Sequence, residues 1–352
     1  MYHPALFDIA LKRYVERILV PKLDLRAVGY RIVIPHTGVK SCVRRLEFAN
    51  DLRIVVRCYT QTEKKNLRPR LLADEIFEKH QLPAPRIIDY REQNERPRFI
   101  FIAEEEAPGR HLIKGPFPRE LIAPLAQCLA AFHAVRAPLH GPLGKPIGGP
   151  FFDAFSRRVK NRLSTLRRYS SKSFEKPLLK PARRWFSRWR DNFAPISIFD
   201  LVHGSLNPGN LVWDDAQKRF FLIDFATINF GCKAKDVVQA EHELFSGDDA
   251  PAIQKEFRET YIGLLPRVER QQFESVEPFF HAYFHLGQCA ISLRRESKKR
   301  RLQRNLSGGE YTKFIAHWRI LLSFFEPHHP AAQLCAFVEQ RGSAKPIAHP
   351  QS

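Results

Sequence analysis

The sequence predicts an α+β protein with a small antiparallel sheet near the N-terminus and a mainly helical remainder. Two observations support this prediction. Short apolar runs separated by turn residues near the N-terminus are typical of antiparallel strands, and the C-terminal part repeats apolar residues at helical spacing. The predicted strands cover residues 31–35, 43–48 and 53–59, and the predicted closing helices cover residues 272–325.

A further pair of short strands is predicted in the centre of the chain, next to a polar segment. Residues 203–210 are His-Gly-Ser-Leu-Asn-Pro-Gly-Asn, and the apolar runs 211–213 and 220–223 follow, joined by a polar turn. Asp224 comes directly after the second run. Such a hairpin would hold Asn210 and Asp224 at a fixed separation. Their side-chain oxygens are the hard ligands that Mg²⁺ prefers, so we predict a metal site here.

This central segment resembles the signature of aminoglycoside phosphotransferases, choline kinases and fructosamine kinases. The resemblance rests on the run from His203 to Leu211, on Ile223-Asp224-Phe225, and on Asp236, which resembles a family aspartate that opens a helix. It implies a two-lobed protein-kinase-like fold. It also implies ATP as the phosphoryl donor, with Mg²⁺ or Mn²⁺ held by Asn210 and Asp224.

One residue departs from the family pattern. Ser205 stands where the family has an aspartate, the presumed general base, and we place Ser205 and His203 at the catalytic position. Removing a general base typically costs about 10²–10⁴ in rate. Three interpretations remain open: a phosphotransferase with another base or an acidic acceptor, a pseudokinase that binds nucleotide and serves as a scaffold or regulator, and an ATP-using enzyme of altered chemistry. The sequence slightly favours transfer from ATP to a hydroxyl of a small molecule, glycan or glycolipid.

Three upstream residues resemble the family's nucleotide-binding elements. Arg57 resembles the phosphate-binding cation of the third strand, and Glu75, in a helix predicted over residues 68–80, is a candidate partner for it. An exposed glutamate on a charged helix is an equal alternative. Gly38 lies in the turn where the family has its phosphate-covering loop, and a plain hairpin turn explains it at least as well.

Two further segments complete the predicted lobes. Residues 99–110 resemble the family strand whose backbone contacts adenine, together with the turn that follows it. A helix predicted over residues 121–133 ends in His133, which we interpret as a core histidine beneath the catalytic loop. We predict an N-lobe over residues 1–106 and a C-lobe over residues 107–341. Residues 342–352 are predicted to be a disordered tail.

The charge of the chain is strongly positive and unevenly distributed. The formal net charge is +20 and the sequence pI is about 9.9. Between residues 157 and 190 the only acidic residue is Glu175, and apolar residues interleave with the bases. We predict that the insert, residues 151–193, forms two basic amphipathic helices separated near Lys176-Pro177.

Four explanations compete for this basic insert. It would bind an anionic membrane surface, with Trp185 and Trp189 as interfacial anchors, or a polyanionic glycan or glycolipid. It would alternatively bind nucleic acid, which no recognised motif supports, or form a solvated basic face without a ligand.

The remaining sequence features favour a cytoplasmic protein. Peripheral contact with the inner face of the membrane is compatible with this location. The N-terminal residues do not combine a basic region with an apolar run, so we expect no signal peptide. No apolar stretch approaches the length of a membrane span. The six cysteines form no Cys-x-x-Cys pair and are expected to be reduced, buried thiols.

Overall fold

The computed structural model describes residues 4–34, 42–93, 98–112, 116–169, 175–301 and 309–325. The chain divides into two compact units, of which the first comprises residues 1–147 and 198–266 and the second residues 148–197 and 267–352. The lobe boundary at residue 106 stays a prediction, and the predicted tail lies outside the described residues.

The α+β fold class is confirmed. The strands are β1 (Tyr30–Val33), β2 (Cys42–Phe48), β3 (Arg53–Thr60), β4 (Ile87–Glu92), β5 (Phe99–Glu105), β6 (Arg110–His111), β7 (Arg136–Ala137), β8 (Gly141–Pro142), β9 (Phe199–Val202), β10 (Leu211–Asp214), β11 (Arg219–Leu222) and β12 (Asn229–Gly231). The helices are α1 (Pro4–Tyr14), α2 (Val20–Lys22), α3 (Arg68–His80), α4 (Ile122–His133), α5 (Phe151–Tyr169), α6 (Glu175–Ser187), α7 (Arg190–Phe193), α8 (Lys233–Leu244), α9 (Ala250–Gly263), α10 (Arg267–Arg301) and α11 (Gly309–Phe325).

Five strands of the first unit form an antiparallel sheet in the order β1-β2-β3-β5-β4. The three strands predicted from the sequence are β1 to β3, and α3 has the predicted bounds. Strand β5 lies between β3 and β4 and buries every residue from Phe99 to Glu104. A continuous apolar run is typical of such a strand because both of its faces are covered.

A helical segment that we did not predict covers one face of this sheet. α1 continues through a π-helical turn, Val15–Leu19, into α2. The Tyr14 ring stacks on Phe101 of β5 with centroids 4.7 Å apart, and the Tyr14 hydroxyl donates to Asp89 Oδ2 at 2.9 Å. The buried side chains of this core include Phe7, Leu11, Val15 and Leu19 from the helical segment and Leu46, Ile54, Val56 and Phe99 from the sheet.

The central hairpin has the predicted form. Strands β10 and β11 pair in the register Leu211–Leu222, and the Ile223 N–H donates to the Asn210 carbonyl at 3.0 Å. The Asp214 carboxylate caps the turn by accepting the Ala216 N–H at 2.9 Å. The hairpin is therefore fixed at both ends by hydrogen bonds.

The second unit is helical and has an aromatic core. Its centre is Phe279, which is fully buried and contacts the rings of Phe155, Phe186 and Phe193 with centroids 5.8, 5.4 and 4.8 Å away. The insert forms α5 and α6 as predicted, although α6 begins at Glu175, before the predicted break. A proline in the first turn of a helix interrupts no hydrogen bond, so Pro177 does not end it.

The apolar faces of the insert helices are buried inside this unit. Trp185 and Trp189 are half-buried, and the Trp185 ring lies 5.5 Å from that of Phe325 while the Trp189 ring lies 6.1 Å from that of Phe279. These contacts count against the predicted role of both tryptophans as interfacial anchors. Among the described residues, no helix combines the length and apolar character needed to cross a membrane.

Candidate active site

Asp236, in the first turn of α8, holds the start of the polar loop after β9. Its Oδ2 accepts the His203 N–H at 2.6 Å and its Oδ1 accepts the Gly204 N–H at 2.9 Å. His133 lies beneath it, with Nε2 3.6 Å from Oδ2. Burial raises the pKa of Asp236, but the adjacent His133 ring and the charge of Lys235 outweigh it and lower the pKa to about 2. The carboxylate is therefore ionised at neutral pH.

His203 connects this loop to the hairpin. Its Nδ1 accepts the Ser205 N–H at 3.3 Å, so the ring proton resides on Nε2, which donates to the Ile223 carbonyl at 2.9 Å. Burial lowers the pKa of His203, which favours this neutral form. The geometry assigns His203 a role in holding the loop, and a catalytic role stays a prediction.

Asn210 and Asp224 are brought together by the hairpin register. Asp224 follows Ile223, whose N–H is bonded to the Asn210 carbonyl, and its side chain is exposed. The Asn210 amide donates from Nδ2 to the Ser205 carbonyl at 2.7 Å, which directs its Oδ1 away from that carbonyl. An oriented amide oxygen and an exposed carboxylate fit a hard divalent cation, so the residues present suit Mg²⁺ or Mn²⁺.

The backbone around Ser205 is tightly held. The Ser205 carbonyl accepts a hydrogen bond from the Asn207 side-chain amide at 3.1 Å as well as from that of Asn210. The Ser205 side chain is half-buried. Gly204, just before it, has φ = 79°, and a Cβ there would lie 2.8 Å from the Thr227 carbonyl oxygen. Glycine is therefore required at residue 204. Residue 205, in contrast, is held through its backbone atoms, which are the same whichever side chain it carries.

Arg57 is placed by a partner that we did not predict. Its Nε donates to Glu104 Oε2 at 3.0 Å, and Arg70 of α3 donates to Oε1 of the same carboxylate at 2.7 Å. Burial lowers the pKa of Arg57, but the charges of Glu104 and Asp224 outweigh it and raise the pKa above its usual value. The influence of Asp224 on Arg57 connects the sheet to the hairpin electrostatically.

The predicted pairing of Glu75 with Arg57 is wrong. Helix α3 buries Arg70, Ala73 and Phe77, which are spaced as one helical face, and Glu75 is exposed on the other side. The helix therefore supplies a cation to this cluster, and β5 supplies the carboxylate. Gly38 lies outside the described residues, so its proposed role in covering phosphate stays a prediction.

Three site residues were missed, and each had a signal in the sequence. Arg70 begins the apolar spacing that continues at Ala73 and Phe77, and Glu104 ends the apolar run of β5. A charged residue within an apolar pattern is buried only when it is paired. Lys235 precedes Asp236, and its Nζ donates to the Gly204 carbonyl at 3.2 Å.

A comparison with known protein families gives a result consistent with this loop, hairpin and arginine–carboxylate cluster. The model of the phosphotransferase enzyme family matches residues 44–270, and the chain belongs to this family. A search of curated protein sequences found no match.

Solved structures confirm the protein-kinase-like fold, with its small antiparallel N-lobe sheet and helical C-lobe. A candidate fructosamine-3-kinase from Thermobifida fusca YX-ER1 is 14% identical, with a TM-score of 0.57 over 88% of this chain and 99% of that one. A thermostable mutant of aminoglycoside phosphotransferase APH(4)-Ia, in a ternary complex with ADP and hygromycin B, is 15% identical, with a TM-score of 0.54 over 95% and 100%. Plasmodium vivax ethanolamine kinase is 13% identical, with a TM-score of 0.54 over 88% of each chain.

Proposed function

We propose that this protein binds ATP with Mg²⁺ or Mn²⁺ and transfers the terminal phosphoryl group to a hydroxyl of a small molecule, glycan or glycolipid. The observation that carries the proposal is the intact loop around Ser205. Asp236 holds its start, His203 joins it to the hairpin, and Asn210 closes it by bonding the Ser205 carbonyl. A structurally similar aminoglycoside phosphotransferase in complex with ADP and hygromycin B supports a nucleotide donor and a small-molecule acceptor.

Three of the predicted residues have a defined part in this proposal. Asn210 and Asp224 hold the metal, which when bound neutralises phosphate charge. Arg57 contacts the phosphates as a fixed cation, since Glu104 orients its guanidinium. Because phosphoryl transfer depends mainly on positioning and electrostatics, these groups support a reaction even with a serine at residue 205.

A second candidate function follows from Ser205 itself. A hydroxyl does not replace a carboxylate as a proton acceptor at neutral pH. If nothing else removes the proton, the protein is a pseudokinase that binds nucleotide and acts as a scaffold or regulator. Both candidate functions predict that the protein binds nucleotide, but only the phosphotransferase predicts turnover of ATP.

Nucleotide binding is tested by calorimetry with a non-hydrolysable ATP analogue, with and without Mg²⁺. Asp224 has φ = 64°, a conformation that asparagine also tolerates, so Asp224→Asn removes the charge with little strain. We expect this variant to lose the metal-dependent part of binding. Asp215→Asn, in the exposed hairpin turn, is the matched control and should bind as the native protein does. Undiminished metal-dependent binding by Asp224→Asn would remove Asp224 from the role.

Turnover is tested with Ser205→Asp. If the loop is an assembled site that lacks its base, the variant should hydrolyse or transfer from ATP faster by about 10² or more. ATP consumption is measured for native protein and variant at equal nucleotide saturation. A variant that binds nucleotide and shows no gain would contradict simple loss of the base.

Contact of the basic insert with an anionic membrane is a separate proposal. The side chains of Arg183, Arg184 and Arg188 are exposed, whereas the apolar faces of these helices are buried, so the attraction would be electrostatic. Reversing these three arginines to glutamate should reduce co-sedimentation with anionic vesicles. Equal recovery with neutral vesicles would indicate a solvated face, and stronger competition by RNA would indicate nucleic acid.

A further inference from the structure

The guanidinium group of Arg70 is buried and is contacted at all three of its nitrogens. Its Nε donates to Glu104 Oε1 at 2.7 Å, and its Nη2 donates to the Pro85 carbonyl at 2.9 Å. Its Nη1 lies 3.5 Å from Asp74 Oδ1. A planar guanidinium that is held in this way keeps one orientation, which a compact ammonium group would not. The two flat faces of the Arg70 guanidinium are therefore fixed in direction.

The same guanidinium lies beside two aromatic rings. Its central carbon is 5.6 Å from the centroid of the Phe225 ring and 5.7 Å from that of Phe77, and the two ring centroids are 4.5 Å apart. At such distances an aromatic ring attracts a cation, and the attraction is stronger where both are desolvated. Phe225 is buried and directly follows Asp224, whose side chain is exposed. The packing of Phe225 therefore fixes the backbone from which the Asp224 carboxylate extends.

Arg70 thus contacts both halves of the candidate nucleotide site. On one side it shares the Glu104 carboxylate with Arg57, the proposed phosphate contact, which donates to Oε2 at 3.0 Å. On the other side it packs against Phe225, next to the proposed metal ligand Asp224. A displacement of Arg57 or of Asp224 would therefore change the contacts of a single buried guanidinium.

We propose that Arg70 is a positioning residue that couples the binding of the metal to the binding of the nucleotide phosphates. This inference rests on the proposed function and concerns how its site is assembled. Arg70 acts through Glu104 and Phe225, which fix Arg57 and Asp224 relative to each other. Groups that are already in place lose less conformational freedom when a ligand binds. The metal and the nucleotide therefore each bind more tightly when the other is present, since such coupling is reciprocal.

The test measures the affinity of the full chain for AMP-PNP by calorimetry, with and without Mg²⁺. The ratio of the two dissociation constants is the metal enhancement. Arg70→Met should lower this enhancement by roughly fivefold or more, the usual range for coupling between two sites. A purely structural loss would weaken both affinities equally and leave the ratio unchanged. Arg68→Met, at an exposed arginine of the same helix, is the matched control and should keep the native ratio.

A second variant tests the aromatic side of the coupling. Phe225→Leu keeps an apolar side chain, removes the ring and leaves the bond from Arg57 to Glu104 in place. It should lower the metal enhancement, whereas its affinity for AMP-PNP without Mg²⁺ should stay native. The double variant Arg70→Met/Phe225→Leu should lose no more enhancement than the stronger single variant, because both changes remove the same contact. Losses that multiply would show that the two residues act independently, and they would overturn the inference.

The outcomes separate this inference from the function on which it rests. A native metal enhancement in Arg70→Met would overturn the coupling and leave metal-dependent nucleotide binding standing. Failure of the native protein to bind AMP-PNP would overturn the proposed function and this inference with it. If Arg70→Met does not fold, Arg70→Lys takes its place, since it keeps a charge beside Glu104 but lacks the planar group beside Phe225. The same fall in the ratio is expected, and a native ratio in this variant would overturn the inference.

Discussion

The two compact units bury different kinds of side chain. The first unit buries charged groups in pairs and clusters, among them Asp236, Glu104 and Arg70. The core of the second unit is built from aromatic rings around Phe279, with most arginines of its insert helices exposed. Buried charges contribute little net stability, whereas aromatic burial contributes much. The comparison indicates that charge is retained in the first unit for geometry, and that the second unit gains stability from packing.

The largest effect is expected from the aromatic core. Phe279→Ala leaves a cavity at a fully buried position surrounded by other rings, which should destabilise the second unit by about 4 kcal/mol. The loss should be the same at pH 7 and pH 4 because no ionisable group is removed. Urea unfolding at both pH values measures it, and a loss below about 1 kcal/mol would contradict the central position of Phe279.

Asp236→Ala should cost slightly less, about 3 kcal/mol at pH 7, because two buried backbone N–H groups lose their acceptor. This loss should depend on pH. The pKa of Asp236 falls from 3.8 to about 2 on folding, so its carboxylate contributes on the order of 2 kcal/mol above pH 3.8. That contribution is lost as the pH falls from 3.8 towards 2. Urea unfolding from pH 7 to pH 3 should show the free energy of unfolding of the native protein approaching that of the variant. A difference between the two free energies that stays constant with pH would contradict this linkage.

Arg70→Met should have a moderate effect on both stability and nucleotide affinity. It leaves Glu104 with one arginine in place of two, at a cost of about 2 kcal/mol. Since Glu104 also orients Arg57, affinity for an ATP analogue should fall. Arg68→Met, two residues earlier and exposed, is the control and should change neither quantity. Equal behaviour of the two variants would show that Arg70 is not part of the site.

Glu75→Ala should have the smallest effect. Its side chain is exposed and Arg57 pairs with Glu104, so we expect a change below about 0.5 kcal/mol and native affinity for the ATP analogue. Thermal unfolding and calorimetry measure the two quantities. A clear loss of affinity would restore Glu75 as the partner of Arg57.

The sequence was most informative where contacts are local. The loop from His203 to Asn210 and the hairpin that follows lie within a short stretch, and the register between β10 and β11 is set by their alternating side chains. The bounds of α3 were predicted because its spacing, prolines and ends lie within the helix itself. The positions of Asn210 and Asp224 relative to each other follow from that hairpin.

Partners that are distant in the chain were not predicted correctly. Arg57 is 47 residues from Glu104 in the sequence, so their pairing is not a local contact. Helical spacing alone also does not show which face of α3 packs against the sheet. The choice of Glu75 assumed that the helix supplies the carboxylate, whereas its buried face carries Arg70. The segment from α1 to α2 was missed although Phe7, Leu11 and Tyr14 follow helical spacing.

The position of this segment on the sheet has a consequence for synthesis of the chain. Tyr14 leaves the ribosome long before its partners, since it hydrogen-bonds to Asp89 and stacks on Phe101. At 5–20 residues per second, roughly 4 to 17 seconds pass between their appearances. During this interval the apolar side of the helix has no sheet to cover. The nascent chain therefore presents a site for chaperones that the folded protein no longer exposes.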